Sequence, residues 1–202
     1  MQTFVDQLGL KEFHLGGSSM GGAIAAGFAA RNPDRVLSLW LLAPAGVVTD
    51  QRSEMEQILY SGAPHPLIPT NRQQFEDTLT FVFVERPFLP GPLRRHLTQI
   101  AIDRQALRAQ IFADLLEETG NGMRYPLNAL VDDLRVPTLV LWGEGDRVLH
   151  PSGAGKLAEL LDNAVVELVP DTGHLPMLES PRLAADSFLR FQAQTFSGVV
   201  AD

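Results

Sequence analysis

The chain has 202 residues, 45% of them hydrophobic and 20% charged, an ordinary globular composition that fits one domain with most of its unfolded surface buried. With 16 Lys+Arg against 24 Asp+Glu the formal net charge is −8, and no basic stripe exists of the kind phosphate-backbone binding needs, so nucleic acid is not an expected partner. The absence of cysteine excludes disulfides, zinc knuckles, iron–sulfur ligation and a thiol nucleophile together.

Met1–Gly9 has no basic region leading into an apolar one, so no signal peptide is visible and a cytoplasmic location is expected. No apolar stretch approaches the roughly 18–20 residues of a membrane span.

In chain order, a helix over Met1–Leu8 is expected to stop at Gly9, followed by a short strand at Glu12–Leu15. A small-residue helix follows from Met20 to about Arg31, ended by Asn32-Pro33. Val36–Leu42, Thr138–Trp142 and Val165–Val169 are uniformly apolar runs of strand length, the signature of parallel strands covered on both faces. Ser152 can cap a helix carrying Leu157, Leu160 and Leu161. Ser180-Pro181 can open a last helix with Leu183, Phe188 and Phe191. Strands alternating with helices predict an α/β fold with a parallel sheet of about four strands.

The interval from about Val47 to Arg135 reads as helical, with Phe75, Leu79 and Phe83 at helical spacing behind a capping box of Thr70 and Gln73. Pro64–Pro69 and Pro87–Pro92 divide it. About ninety residues is too long for a plain crossover and fits a helical cap inserted between two strands. The expected organisation is therefore a core from 1–46 and 136–202 with a cap from 47–135.

Gly17-Ser18-Ser19-Met20-Gly21 is a Gly-x-Ser-x-Gly pattern between a strand and a helix. Such a sharp turn holds the serine in a strained conformation at the strand's carboxyl end, and needs small neighbours. It aims the Met20 N–H and the helix N-terminus at the same point. A serine hydroxyl needs a base oriented by a carboxylate, in the order Ser, Asp or Glu, His. Asp146 or Glu144, after the third strand, can supply the acid. His174, in Pro170-Asp171-Thr172-Gly173-His174 after the last strand, can supply the base. His14 reads as a packed core imidazole, His65 and His96 as surface or lid residues, His150 as a surface residue one turn past Asp146, and Asp171 as a turn residue.

The segments Leu15–Gly22, Leu139–Asp146 and Gly173–Pro181 resemble the α/β-hydrolase superfamily, and within it the monoacylglycerol-lipase type of lipase. Asn32-Pro-Asp-Arg-Val36, Arg135–Gly143, Val148–Ala154 and Val166–Val169 extend the likeness over nearly the whole chain. The resemblance implies Ser19 as nucleophile, Asp146 rather than Glu144 as acid, His174 as base, and the Met20 N–H as one oxyanion donor. It implies hydrolysis of a small-molecule carboxylic ester, a monoacylglycerol or a short-to-medium acyl ester, with no metal or cofactor. Two rival readings are a carbon–carbon bond hydrolase of the meta-cleavage-product type, which shares the Ser-Met-Gly-Gly elbow, and a non-catalytic binding module. Family members carry four further strands and a His-Gly-type loop before the elbow, where this sequence has about eighteen residues. The fold expected is thus a truncated α/β-hydrolase whose exposed sheet edge is covered by self-association into a homo-oligomer.

Overall fold

A computed structural model describes residues 1–115 and 124–197. The stretch 116–123, inside the expected cap, lies outside the described residues.

The N-terminal helix α1 (Gln2–Gln7) ends at Leu8, with Gly9 in the left-handed region at φ +65°. Strand β1 (Phe13–Ser18) runs three residues past the predicted Leu15. Gly16, Gly17 and Ser18 keep pairing, opposite Trp40, Leu41 and Leu42, because the two glycines sit in extended backbone. Helix α2 (Met20–Arg31) ends as predicted before Pro33, and a single 3₁₀ turn (Pro33–Arg35) leads into β2 (Val36–Leu42). The remaining strands, β3 (Thr138–Gly143) and β4 (Ala164–Val169), each extend the predicted run by one residue. All pairs are parallel, in the order β1-β2-β3-β4, and each strand therefore delivers its carboxyl end to the same edge.

Between β2 and β3 lie α3 (Glu54–Tyr60), α4 (Arg72–Val82), α5 (Gly91–Asp103), α6 (Gln105–Leu115) and α7 (Leu127–Val131). The cap of α4 is Asn71, whose side chain accepts from the Gln74 N–H, and not Thr70. Thr70 instead binds the Gln74 amide oxygen through both its N–H and its hydroxyl. After β3 comes α8 (Ser152–Leu160), which starts behind Pro151. Ser152 does not cap it, because its hydroxyl is engaged by His150 Nδ1 at 2.8 Å. The chain closes with α9 (Pro176–Glu179) and α10 (Pro181–Phe196); Ser180 is the N-cap of α10 by position, but its hydroxyl bonds Thr172. No helix among the described residues is long and apolar enough to cross a membrane.

The main core lies on one sheet face, where Ala25, Ala26 and Phe28 of α2, Leu127 and Val131 of α7, and Ala154 and Leu157 of α8 meet Leu39, Leu41, Val140 and Trp142. Burying each leucine or valine there contributes about 1.5–3 kcal/mol. On the opposite face Ala184 of α10 packs on Leu42, Leu141 and Val169, and Trp40 stacks on Phe188 at 4.8 Å. A separate cluster of Met55, Phe81, Val82 and Phe83 joins the inserted helices to Val148 in the loop after β3. Helix α3 and the end of α4 are thus packed on the carboxyl edge of the sheet, whereas α7 lies in the main core.

Candidate active site

Ser19 stands at the N-cap of α2 with φ 53° and ψ −123°, a conformation an L-residue adopts only under strain, at a cost of about 1–3 kcal/mol. The turn is held from both sides. Ser19 N–H donates to the Leu42 carbonyl at 2.9 Å, and the Ser19 carbonyl accepts from Gly22, Ala23 and Ala45. A Cβ at position 17 would collide with the Gly21 carbonyl, which is why the turn requires glycine there. The neighbouring Ser18 hydroxyl is buried with no partner among the described residues, whereas Ser19 is half-buried at the mouth of the turn. Met20 begins the helix, so its N–H is among the unpaired donors of the first turn.

Asp146 and His174 come together across the ends of β3 and β4. His174 Nδ1 lies 2.8 Å from Asp146 Oδ2, with the His side chain 5% and the Asp side chain 0% exposed. A carboxylate only accepts, so Nδ1 carries a proton here, the tautomer in which Nε2 can serve as an acceptor. Oδ2 also accepts from Trp142 Nε1 at 3.0 Å, while Oδ1 accepts from the Val148 and Leu149 N–H groups at 2.8 and 3.0 Å. Four donors thus offset the cost of burying this carboxylate. Glu144, the other candidate acid, is exposed and reaches neither His174 nor Ser19.

Ser19 and His174 occupy the same edge of the sheet, but among the described residues Ser19 Oγ makes no hydrogen bond to the imidazole. A nucleophile–base contact is commonly long in a free enzyme and tightens when substrate binds.

The other singled-out residues lie apart. His14 is exposed rather than packed in the core, on a strand that is outermost in the sheet among the described residues; its Nδ1 bonds Ser38 at 2.7 Å. His65, in the inserted segment as expected, is half-buried: its ring lies 4.1 Å from that of Phe112, Nδ1 accepts from the Leu67 N–H, and Nε2 is buried with no partner among the described residues. That burial lowers its pKa to about 4. His96 is exposed, His150 is half-buried against Ser152, and Asp171 is an exposed turn residue at φ 50°. No group of His, Cys, Asp and Glu among the described residues could hold a metal ion.

Three contacts were not legible in the spacing. Trp142 N–H steadies the Asp146 carboxylate. Arg147, next to it, makes a bidentate ion pair with Glu54 at 2.6 Å, reaches the Thr80 carbonyl, and lies over the Phe81 ring at 4.6 Å. That pair holds the Glu54 carboxyl below its usual pKa. Finally, the end of α4 runs against the histidine loop, with His174 N–H donating to the Val82 carbonyl at 2.8 Å and Glu179 bridging the two segments. A run of apolar residues at 81–84 and a Glu five positions after His174 were the available signals.

Comparison with known proteins places this geometry in context. A family profile described as alpha/beta hydrolase fold matches residues 1–181. Monoacylglycerol lipase ABHD6 of Bos taurus is 34% identical over 98% of this chain and 60% of its own length. Lipase 3 of Moraxella sp. (strain TA144) is 30% identical over 89% of this chain and 55% of its own. Among solved structures, one titled as a membrane phospholipase A, a novel bacterial virulence factor, superposes with a TM-score of 0.89 at 38% identity, covering 96% of this chain and 61% of that one. The chain therefore spans about three fifths of the length of the relatives it matches.

Proposed function

Because the chain belongs to the alpha/beta hydrolase fold family, we propose that it is a serine hydrolase that cleaves carboxylic esters, monoacylglycerols or short-to-medium acyl esters, through an acyl-enzyme. The observation that carries this reading is the buried Asp146–His174 pair at the sheet edge where Ser19 is held in a strained turn. The names of the relatives, monoacylglycerol lipase and lipase, support the ester class.

In this reading Ser19 Oγ attacks the ester carbonyl as His174 Nε2 takes its proton. The imidazolium is stabilised by Asp146 and returns the proton to the leaving alcohol. Water then repeats the sequence on the acyl-Ser19. The Met20 N–H donates to the developing oxyanion, assisted by the positive end of α2. The route uses no metal or cofactor. Residues 1–46 and 136–202 form the catalytic core, and of the expected cap over 47–135 the helices α3 and α4 lie over its carboxyl edge, while α7 joins the core through Leu127 and Val131.

Hydrolysis of p-nitrophenyl butyrate and of a monoacylglycerol tests the proposal, with Ser19→Ala and His174→Gln as comparisons. Each replacement is expected to lower kcat by at least about 10³-fold. An undiminished rate in Ser19→Ala would overturn the assignment. We further infer self-association over β1, whose outer edge pairs with no strand among the described residues. Light scattering coupled to size exclusion tests this, and a monomer at high micromolar concentration would contradict it.

A further inference from the structure

Glu179 is a half-buried acidic residue at the end of α9, and none of its bonds goes to a cation among the described residues. Its Oε1 accepts from the Val84 and Glu85 N–H groups at 3.1 and 2.9 Å, and its Oε2 accepts from the Gly173 N–H at 3.1 Å. Three backbone donors from two distant segments therefore converge on one carboxylate. Gly173 is the residue before His174, and 84–85 continue the stretch whose Val82 carbonyl accepts from His174 N–H.

Contact between these segments is close enough to exclude side chains. A Cβ on Gly173 would collide with the Val82 carbonyl, and one on Gly145, beside Asp146, would press into the Val84 side chain at 2.5 Å. Both loops that carry the acid and the base thus rest on residues 82–85, and Glu179 fastens one of those loops there. Asp146 itself is fixed by Trp142, Val148 and Leu149, so any drift of the 173–174 backbone would show directly as misalignment of the imidazole against Oδ2.

We propose that Glu179 is a positioning residue for His174, tying the backbone of the base to the end of α4 so that Nδ1 stays on Asp146 and Nε2 stays aimed for proton transfer. The proposal rests on the hydrolase reading above for its kinetic consequence, though not for its structural one. A carboxylate suits the task because donors face both of its oxygens. Glutamine has one accepting oxygen and must set its amide N–H₂ against at least one backbone donor, and alanine has no acceptor. The loss should therefore be graded, with Glu179→Gln milder than Glu179→Ala.

The test uses the full 202-residue chain, ¹⁵N-labelled at histidine, with His174→Gln to assign the signals. Long-range ¹H–¹⁵N spectra report which ring nitrogen of His174 carries the proton. Wild-type protein should show the Nδ1–H tautomer, and the Glu179 variants a mixture of tautomers. In parallel, kcat on p-nitrophenyl butyrate should fall about 10- to 100-fold while KM stays within about twofold, because the substrate contacts are untouched. Urea midpoints establish that each variant is folded; should Glu179→Ala not fold, Glu179→Gln carries the comparison. Unchanged His174 signals and unchanged kcat in a folded variant would overturn the proposal. If wild-type protein shows no esterase activity, the hydrolase reading falls while the tautomer spectra still decide the role of Glu179.

Discussion

Replacing Asp146 by asparagine puts an amide nitrogen where four donors converge on a carboxylate. The Asn N–H₂ can take either of two places. At the Oδ1 position it would face the Val148 and Leu149 N–H groups and forfeit both bonds. At the Oδ2 position it would face Trp142 Nε1, which keeps a second acceptor in the Leu149 carbonyl at 3.3 Å, and His174 Nδ1. The second arrangement costs less, since the imidazole can move its proton to Nε2 and accept at Nδ1. One weakened bond and one lost charge-assisted bond then amount to about 1–3 kcal/mol, or roughly 2–4 °C in Tm per kcal/mol for a domain of this size. Catalysis suffers far more. With its proton on Nε2 the ring cannot accept from Ser19, and kcat should fall by about four orders of magnitude. Stopped-flow or fixed-time hydrolysis of p-nitrophenyl butyrate measures this, with circular dichroism to establish the fold. Glu144→Gln should leave most activity, as that side chain is exposed. A folded Asp146→Asn variant that keeps more than about a tenth of wild-type kcat would refute the tautomer argument.

Gly17→Ala drives a Cβ into the Gly21 carbonyl and should lower stability by about 1–3 kcal/mol, while Gly21→Ala meets nothing within 4 Å and should leave the urea midpoint unchanged or raised. Phe83 is buried with Met55 and Val148, so Phe83→Ser should cost about 3 kcal/mol or more. Phe88 is 88% exposed, so Phe88→Ser should leave Tm intact and reduce hydrolysis of long acyl esters more than of acetate; equal loss on both chain lengths would remove any acyl-contact role. Burial holds His65 at a pKa of about 4, below the unfolded value near 6.5, so the unfolded chain gains that proton first as pH falls. Stability should therefore decline between about pH 6.5 and pH 4, and His65→Asn should flatten the decline in urea midpoints; an identical slope would contradict the assignment.

The strands were legible because β2 and β3 are buried on both faces and therefore apolar at nearly every position. β1 was read three residues short. Gly16 and Gly17 look like chain breakers, but both pair in the strand, and Gly17 lets α2 approach it, as the clash of a Cβ there with the Gly21 carbonyl demonstrates. Ser152 and Thr70 resembled caps by type, yet each hydroxyl found a competing partner nearby. Such local competition decides helix starts and leaves no trace in spacing. His14 looked like a core residue because the pattern reveals strands but not which of them is an edge. At the site, the elbow and its two downstream loops follow from spacing. The choice between Glu144 and Asp146 does not, since both lie in one loop, and the proposal of Asp146 is supported by its burial among four donors while Glu144 is exposed. Glu179 and Arg147 act on residues some ninety positions away, which only the packing of α3 and the end of α4 on the sheet edge brings together.

The proposed function stands or falls with Ser19 as a nucleophile activated by the Asp146–His174 pair. Its most direct measurement is labelling with a fluorophosphonate followed by peptide mass spectrometry, which needs an activated serine but neither a known substrate nor acyl-group specificity. A single adduct on Ser19 is expected, lost in His174→Gln and strongly slowed in Asp146→Asn. No adduct on folded wild-type protein, an adduct on Ser18, or labelling of Ser19 that persists undiminished without His174 would contradict it.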